Sequence, residues 1–587
     1  MYILGISCFY HDASACLVKD GKVIAAAEEE RFTRKKHDIS FPVNAINFCL
    51  DYAKININQI DHITFYEKPL QKFERVLYQS IERFPFTLSM FYKAIPSWLN
   101  EKLRVKKLIR KKLKYKKDIF YIEHHLCHAA SSYFISPFKE SAILTIDGVG
   151  EWDTSTAGYA KENQIKITKR LVFPHSIGLL YSTVTAYLGF SVNNSEYKVM
   201  GLSPYGRMDK TTNPYYSKFK KIVNLKEDGS FELDMDYFDY HYKIRMPSKK
   251  FIKEFGPARK KESGLNQRHK DIAAALQLIT EEITLKMLNQ LYRETKCPNL
   301  CLAGGSALNS VANGKILGNT PFKDIYIQPA AGDGGTSMGA ALYAYYALLN
   351  QNTKKREVLK TAYLGPEYSH AEIKKFLDEN KIKYSEFKNE KEIIKEISKL
   401  IFNNNVIGWF QGRMEWGPRA LGSRSILSNP ANPKMQEILN LKVKHREKFR
   451  PFAPVICEDD AKKYFECDIP IPKPTDFMLM VYPIKKQYHK LIPAVTHVDG
   501  SGRLQTIRRE DNELYYDLIK EFGKLSGIPI LINTSFNIRG EPIVLSPYYA
   551  YRCMMGTGID YLLMDKFLIK REDNPQDMWD SEKYAKD

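Results

Sequence analysis

The segment that decides the fold is YILGISCFYHDASACLVKDGKVIAAAEEER, from Tyr2 to Arg31, because its pattern occurs a second time. The second copy, AILTIDGVGEWDTSTAGYAKENQIKITKRL, runs from Ala142 to Leu171. Each copy predicts an apolar strand, a short loop with Asp and Ser or Thr, a second strand, a Gly or Asn turn and a third strand. Hairpins of this kind place backbone N–H groups and hydroxyls around a phosphate.

The duplication predicts two related lobes with a nucleotide in the cleft between them. This is an α/β arrangement of the kind found in actin-like ATP-binding folds. Two later strand-to-helix turns fit the same picture: NLCLAGGSALN carries Gly305 and Asn309, and QPAAGDGG carries Asp333. Glycines let the backbone approach a ligand closely, so we expect these turns to hold an adenylate.

A histidine pair stands in EHHLCHAASSYF, which begins at Glu123. If a helix starts near Glu123, His124 and His128 are four residues apart and project from one face, whereas His125 points elsewhere. Two imidazoles on one face can bind a divalent metal when carboxylates meet them. Two ordinary histidines near a helix start are the alternative at this point.

Two aspartates are candidates for the missing carboxylates. Asp147 follows a predicted strand in LTIDGVGE, and Asp333 lies in a loop at another strand end. Residues at such strand ends line the cleft of open α/β sheets. Together with the histidine pair they make a His, His, Asp, Asp set suited to iron(II), manganese or zinc. Aspartates that merely cap turns are the alternative.

The composition is that of a globular protein of several domains. The 587 residues exceed what one core supports, so two to four domains are expected. No run of 18 apolar residues is present, which predicts no membrane span. Nine cysteines without a CxxC pair, and a start without a basic leader, predict reduced thiols in a cytoplasmic protein.

The formal charge of +20 suggests anionic partners. Ten of the basic residues lie between Glu101 and Asp118. Apolar residues that start just before this tract, at Leu99, and continue through Ile109 to Leu113 give it a partial helical stripe. We interpret this tract as a solvated basic helix packed on one side; nucleic acid or an anionic membrane surface is the alternative. Because RNA-module aromatic signatures and zinc-finger spacings are absent, nucleic acid is disfavoured.

Motifs along nearly the whole chain resemble those of the O-carbamoyltransferase family, which includes nodulation protein U and antibiotic carbamoyltransferases. In the first half they are YHDASACLV, EEERFTRKKHD, EHHLCHAASSYFISPF, TIDGVGEW, YKVMGLSPYG, GGSALN and QPAAGDGGTSMGAA. In the second half they are EWGPRALGSRSIL, KHREKFRPFAP, THVDGSGRLQT and NTSFNIRGEPIV.

The resemblance implies two domains and a two-step reaction. An actin-like, TsaD-type domain is expected over 1–350, a linker over 351–365 and a YrdC-like domain over 366–587. The YrdC-like domain would convert carbamoyl phosphate and ATP, with Mg²⁺, into carbamoyl adenylate. The first domain would then transfer the carbamoyl group to a hydroxyl of an acceptor.

The resemblance also implies roles for individual residues. His11 resembles the catalytic histidine, which would accept the proton of the acceptor. The metal would be Fe²⁺, held by His124, His128, Asp147 and Asp333. Residues around the nucleotide would be Lys36, Gly178, Gly305 and Asn309. Contacts to carbamoyl phosphate and ATP would be Arg419, Lys444, Arg450, Arg503, Asn533 and Ser535.

The acceptor stays open at this level. Residues that choose it are expected in inserts of the first domain, such as the segment starting at Pro69 and the tyrosine-rich segment starting at Leu233. A small-molecule or saccharide O-carbamoyltransferase is the leading hypothesis. A tRNA-modifying carbamoyltransferase and a non-catalytic nucleotide-binding scaffold are the alternatives. A homodimer is a further expectation.

Overall fold

A computed structural model describes residues 1–352 and 356–575. Its strands are β1 Tyr2–Ser7, β2 Ser14–Lys19, β3 Lys22–Glu28, β4 His62–Phe65, β5 Ile119–Tyr121, β6 Glu140–Ile146, β7 Asp153–Lys161, β8 Gln164–Val172, β9 Val223–Leu225, β10 Phe231–Leu233, β11 Asn299–Ala303, β12 Asp324–Tyr326, β13 Ser385–Glu386, β14 Ile407–Phe410, β15 Arg424–Ser428, β16 Ala453–Cys457, β17 Met480–Pro483, β18 Ser501–Ile507, β19 Ile530–Ser535, β20 Tyr561–Met564 and β21 Phe567–Lys570.

Its helices are α1 Glu30–Thr33, α2 Val43–Tyr52, α3 Pro69–Glu82, α4 Leu88–Asn100, α5 Val105–Leu113, α6 His124–Tyr133, α7 Ile177–Tyr187, α8 Glu196–Leu202, α9 Tyr216–Ile222, α10 Lys249–Phe255, α11 Gln267–Thr295, α12 Ser310–Asn313, α13 Ile316–Asn319, α14 Thr336–Tyr343, α15 His370–Glu379, α16 Glu390–Phe402, α17 Met435–Ile438, α18 Glu458–Tyr464, α19 Glu513–Ser526 and α20 Pro547–Met555.

The chain forms two compact units. The N-terminal unit contains Met1–Ala26 and Ile39–Leu359, and the C-terminal unit contains residues 27–38 and the described residues from 360 onward. Residues 353–355 of the expected linker and 576–587 of the expected second domain lie outside the described residues. The short segment 27–38 was not expected to leave the first unit.

Two five-stranded sheets in the N-terminal unit repeat one topology. Their orders are β3-β2-β1-β4-β5 and β12-β11-β6-β7-β8. In each sheet the first strand pairs antiparallel with the second and parallel with the fourth, and the fifth strand extends the parallel side. The predicted strand–loop–strand repeat is therefore confirmed, and the fold is the expected duplicated, actin-like α/β fold.

Two helices lie between these sheets. The helix α6 packs on β6 and β11, α14 packs on β1 and β2, and the two helices pack on each other. Small residues allow this closeness: a Cβ at Gly5 would lie 1.9 Å from the carbonyl oxygen of Ser337, and one at Gly339 would lie 1.8 Å from that of Cys127. The backbones therefore approach more closely than any side chain would permit.

The C-terminal unit is built on a mixed sheet of the order β13-β21-β20-β14-β15-β19-β16-β18-β17. Helices α16 and α19 cover it with apolar side chains that surround the buried Trp409. The segment 27–38 is anchored to this unit by its charged residues: the Glu28 carboxylate accepts the Gly417 N–H at 2.8 Å, and Arg34 donates to the Ile543 carbonyl at 2.7 Å.

The basic tract folds as expected for a solvated helix. Val105 and Ile109 of α5 are buried, while most of its lysines and arginines are exposed. The predicted apolar stripe began too early in the sequence, because its first residue, Leu99, is 48% exposed and does not belong to the buried face. Among the described residues, none of the helices combines the length and the apolar character needed to cross a bilayer.

We expect Gly339→Ala to destabilise the N-terminal unit. The new methyl group would collide with the Cys127 carbonyl oxygen and push α14 away from α6, at a cost of about 1–3 kcal/mol. Chemical denaturation followed by circular dichroism measures this. Gly318→Ala is the control, since a Cβ at this exposed glycine meets nothing within 4 Å. Equal unfolding midpoints for the two variants would contradict this packing.

Candidate functional site

The histidine pair stands at the start of α6, which begins at His124 as predicted. The side chains of His124 and His128 are buried, and their Nε2 atoms lie 3.1 Å apart. Glu151, which the sequence analysis did not select, supports the helix start: its carboxylate accepts the His124 backbone N–H at 3.1 Å. Glu151 could have been selected from the sequence, because it lies four residues after Asp147 in the same loop motif, DGVGE.

His125 takes no part in this group. Its Nε2–H donates to the carbonyl oxygen of Asp153 at 2.9 Å, and its Nδ1 then accepts from the Thr145 hydroxyl at 2.6 Å. Burial, followed by the neighbouring histidines, lowers the pKa of His125 to about 3. It is a neutral structural residue that ties α6 to the second sheet.

The two predicted carboxylates meet the histidine pair. The Asp147 Oδ2 atom lies 3.1 Å from His124 Nε2 and 3.8 Å from His128 Nε2. The Asp333 Oδ1 atom lies 3.6 Å and 3.5 Å from the same two nitrogens. One ligand atom from each residue therefore falls within 4.8 Å of all the others. We call these four residues the quartet.

The chemistry of the quartet fits a divalent metal ion. Metal–ligand bonds of about 2.0–2.2 Å put adjacent ligand atoms about 3–3.6 Å apart, close to the spacings found here. The buried Asp333 Oδ1 has no hydrogen-bond partner among the described residues. Although burial opposes it, Asp147 and Asp333 raise the pKa of His128 to about 9. The site therefore attracts positive charge, for which a metal and protons compete.

Two of the residues predicted to contact the nucleotide, Gly305 and Gly178, lie against Asp147. The Gly305 N–H donates to Asp147 Oδ1 at 2.9 Å, and a Cβ at Gly178 would lie 2.6 Å from the Asp147 carbonyl oxygen. Both glycines thus help to hold this aspartate. Asn309 is the N-cap of α12, and its amide nitrogen donates to the side-chain oxygen of Gln277 at 3.0 Å.

His11 lies in the β1–β2 loop beside the quartet. Its Nε2 atom is 3.6 Å from Asp333 Oδ2, and its Nδ1 is 3.0 Å from Asp12 Oδ2. Although burial lowers it, the carboxylates of Asp333 and Asp12 raise the pKa of His11. Asp333 therefore faces the histidine pair with one oxygen and His11 with the other.

The C-terminal unit brings together a second predicted group, centred on Lys444. This side chain is buried, and its Nζ donates to Ser535 Oγ at 3.2 Å and to Asn537 Oδ1 at 2.9 Å. Burial, followed by the charges of Arg446 and Arg450, holds the pKa of Lys444 well below its usual range. Its partners are neutral oxygen atoms, and none of the described carboxylates forms an ion pair with it.

Arg503, on β18, belongs to the same group. Burial and then the charges of Arg419, Arg446 and Arg450 hold its pKa well below the usual range. In the described part of the chain, no carboxylate pairs with Arg503, and its buried Nε has no hydrogen-bond partner. Arg450 contacts Glu447 at 3.8 Å.

Asn533 and Lys36 complete the account of the predicted residues. Asn533, on β19, donates to Gln505 at 2.6 Å, while its buried Oδ1 has no partner among the described residues. Lys36 lies in segment 27–38, and its charge acts on Lys444 within the C-terminal unit. The contact of Lys36 with a nucleotide stays a prediction. The set of cations also includes Arg446, which was not selected although KHREKFRP contains it.

Two family models together match most of the chain. The model of the carbamoyltransferase N-terminus matches residues 2–342, and that of the carbamoyltransferase C-terminus matches residues 398–571. Among solved structures, HypF of T. kodakarensis is similar at 11% identity and a TM-score of 0.31, covering 61% of this chain and 49% of that one.

Two curated relatives are similar over almost the whole length. An uncharacterized protein from Synechocystis sp. is 44% identical, over 98% of this chain and 97% of the relative. Nodulation protein NolNO from Sinorhizobium fredii is 36% identical, over 97% of this chain and 80% of the relative. With both halves matched by their family models, the chain belongs to the carbamoyltransferase family.

Proposed function

We propose that this carbamoyltransferase forms carbamoyl adenylate in its C-terminal unit and passes the carbamoyl group to a hydroxyl in its N-terminal unit. In the first step water releases phosphate from carbamoyl phosphate, and the resulting carbamate attacks the α-phosphorus of ATP and expels pyrophosphate. In the second step the acceptor oxygen bonds to the carbamoyl carbon, AMP leaves and the hydroxyl proton is lost. The acceptor is a small molecule or a saccharide.

The observation that carries the first step is that the buried Lys444 and the half-buried Arg503 pair with no carboxylate among the described residues. Lys444 and Arg503 have neutral or cationic neighbours, and the positive charges of Arg446 and Arg450 lower the pKa of both groups. Burying like charges is unfavourable unless an anion joins them. ATP and carbamoyl phosphate supply phosphoryl oxygens, which guanidinium groups bind in bidentate fashion. Their binding would offset the repulsion and orient the reacting groups.

The quartet supports metal-assisted chemistry in the second step. His124, His128, Asp147 and Asp333 would hold a divalent ion, for which the family resemblance favours Fe²⁺. When bound, this ion supplies Lewis-acid polarisation of a phosphoryl or carbonyl oxygen. The hydrogen bond from the Gly305 N–H fixes the second oxygen of Asp147 and so orients that ligand.

His11 is the proposed base for the acceptor hydroxyl. In the neutral form of His11, a hydrogen bond from Nδ1–H to Asp12 leaves Nε2 as the proton-accepting atom. Because the neighbouring carboxylates raise the pKa of His11, this form gains population as the pH rises. Asp333 Oδ2, 3.6 Å from Nε2, would stabilise the imidazolium that forms. The side chain of His11 keeps 22% of its surface exposed, so a substrate can reach it.

We expect Arg503→Gln to slow the pyrophosphate release that depends on carbamoyl phosphate by at least about 100-fold, because a charged donor to phosphoryl oxygens is lost. The measurement uses full-length protein with ATP and carbamoyl phosphate and no acceptor. Arg509→Gln is the matched control, because this arginine is exposed and its ion pairs among the described residues are with Glu513 and Asp517. Release within about twofold of wild type is expected there. Similar rates in both variants would refute the role of Arg503.

We expect one divalent ion per chain after anaerobic loading with Fe²⁺ and desalting, and less than about a tenth of that in His128→Ala, because an imidazole ligand is lost. Elemental analysis by mass spectrometry measures the content without reference to activity. His62→Ala, at a half-buried histidine outside the quartet, should retain the full content. Equal metal contents in the two variants would exclude the quartet as the binding site.

A further inference from the structure

Arg75, in the middle of α3, is a buried cation that pairs with no carboxylate in the described part of the chain. Arg75 is only 7% exposed. Its Nε atom is buried and has no hydrogen-bond partner among the described residues. Within the described ranges, no carboxylate pairs with the guanidinium, and none of its nitrogens donates a hydrogen bond. The centroid of the Phe173 ring lies 5.1 Å from the guanidinium carbon.

Packing alone does not account for this arrangement. A contact with one aromatic ring returns much less free energy than an ion loses when it leaves water. Burial lowers the pKa of Arg75 to about 10, so the side chain still carries its charge at neutral pH. The terminal nitrogens, unlike Nε, are not fully enclosed. A ligand with negative charge can therefore reach them.

The neighbouring carboxylates are engaged elsewhere. Glu67 bonds to Lys72 at 2.5 Å, one helical turn before Arg75. Glu151 accepts two backbone N–H groups, those of Lys68 and of the first residue of α6. Both carboxylates lie close enough to influence Arg75 electrostatically, but neither pairs with it. The cation is thus left for a group that comes from outside the chain.

The position of Arg75 links it to the acceptor step. Lys72, Arg75 and Tyr78 recur every three residues and share one face of α3. Lys72 Nζ lies 4.7 Å from the ring centroid of Tyr10, and the Tyr78 ring lies 5.7 Å from that of Trp152. This face therefore extends between the β1–β2 loop and the loop that follows Asp147.

Tyr10 connects this face to the proposed base. Its ring centroid lies 4.7 Å from that of His11, and its hydroxyl is among the groups that act electrostatically on Arg75. Tyr10 is 37% exposed, and Trp152 and Phe173 are partly exposed. Such rings can stack on the apolar faces of a sugar.

We infer that Arg75 binds an anionic group, carboxylate or phosphoryl, on the hydroxyl-bearing acceptor, which is therefore an acidic sugar. The inference rests on the proposed function, since it assumes that His11 serves the acceptor. The planar guanidinium fork suits bidentate contact with either group. Acceptor binding by Arg75 also gives a role to the insert starting at Pro69, which the sequence predicts to select the acceptor.

The test measures binding by titration calorimetry on the full chain with carbamoyl phosphate at saturation, so that the anion site of the C-terminal unit is filled. The probes are glucuronate, glucose 6-phosphate and glucose. Wild-type protein should bind one anionic sugar at least tenfold more tightly than glucose, and the better of the two identifies the group. Arg75→Gln should weaken that binding about 10- to 100-fold and remove the preference.

Two further variants complete the design. Arg110→Gln removes an exposed charge from α5 and should bind like wild type. Arg75→Lys keeps the charge but loses the fork, and should show a reduced preference. If Arg75→Gln does not fold, as judged by its unfolding midpoint, Arg75→Lys decides, and an undiminished preference there overturns the inference.

A wild-type protein without preference for either anionic sugar, whether it binds all three probes or none, would also overturn the inference. So would a preference that persists in folded Arg75→Gln. Failure of the proposed function would instead appear as absent pyrophosphate release by wild-type protein, in an assay that contains no sugar.

Discussion

The close packing of α6 on α14 is the constraint on which the first site depends. Gly339 has no side chain, so α14 lies directly on the Cys127 carbonyl between the two histidines of α6. Asp333 immediately precedes α14, and this contact sets how far it lies from His128. Gly5 does the same on the other side, where β1 meets α14 and leads into the loop of His11. These two close contacts at glycines thus position both the quartet and His11.

Each unit carries an electrostatic imbalance of opposite sign. In the N-terminal unit two carboxylates and two imidazoles converge and attract a cation. In the C-terminal unit the buried Lys444 and the half-buried Arg503 lie near other cations and would attract an anion. Arg75 is a third such group, small and isolated. In all three places the fold maintains charges that a bound ligand would offset, which is the usual sign of a functional site.

Much of this could be predicted from the sequence, because local patterns determine it. The repeated hairpins follow from alternating strands and short turns, and the histidine pair follows from four-residue spacing on a helix. The convergence of Asp147 and Asp333 could only be a hypothesis from the sequence. In the structure, β6 and β12 flank β11 as parallel strands, so the loops that follow them and carry the two aspartates leave the same edge of the sheet. The membership of segment 27–38 in the C-terminal unit was not predictable, because it depends on contacts with residues some 390 positions away, such as Gly417. The isolation of Arg75 depends likewise on partners that its neighbours have already taken.

The measurement that tests the account most directly is mass spectrometry of the nucleotide pool after full-length protein reacts with ATP and ¹³C-labelled carbamoyl phosphate without acceptor. If the C-terminal unit forms the adenylate, the quenched mixture should contain ¹³C-labelled carbamoyl adenylate, with one pyrophosphate for each adenylate formed. Formation of ADP in place of pyrophosphate, or no labelled adenylate from metal-loaded protein, would contradict this role.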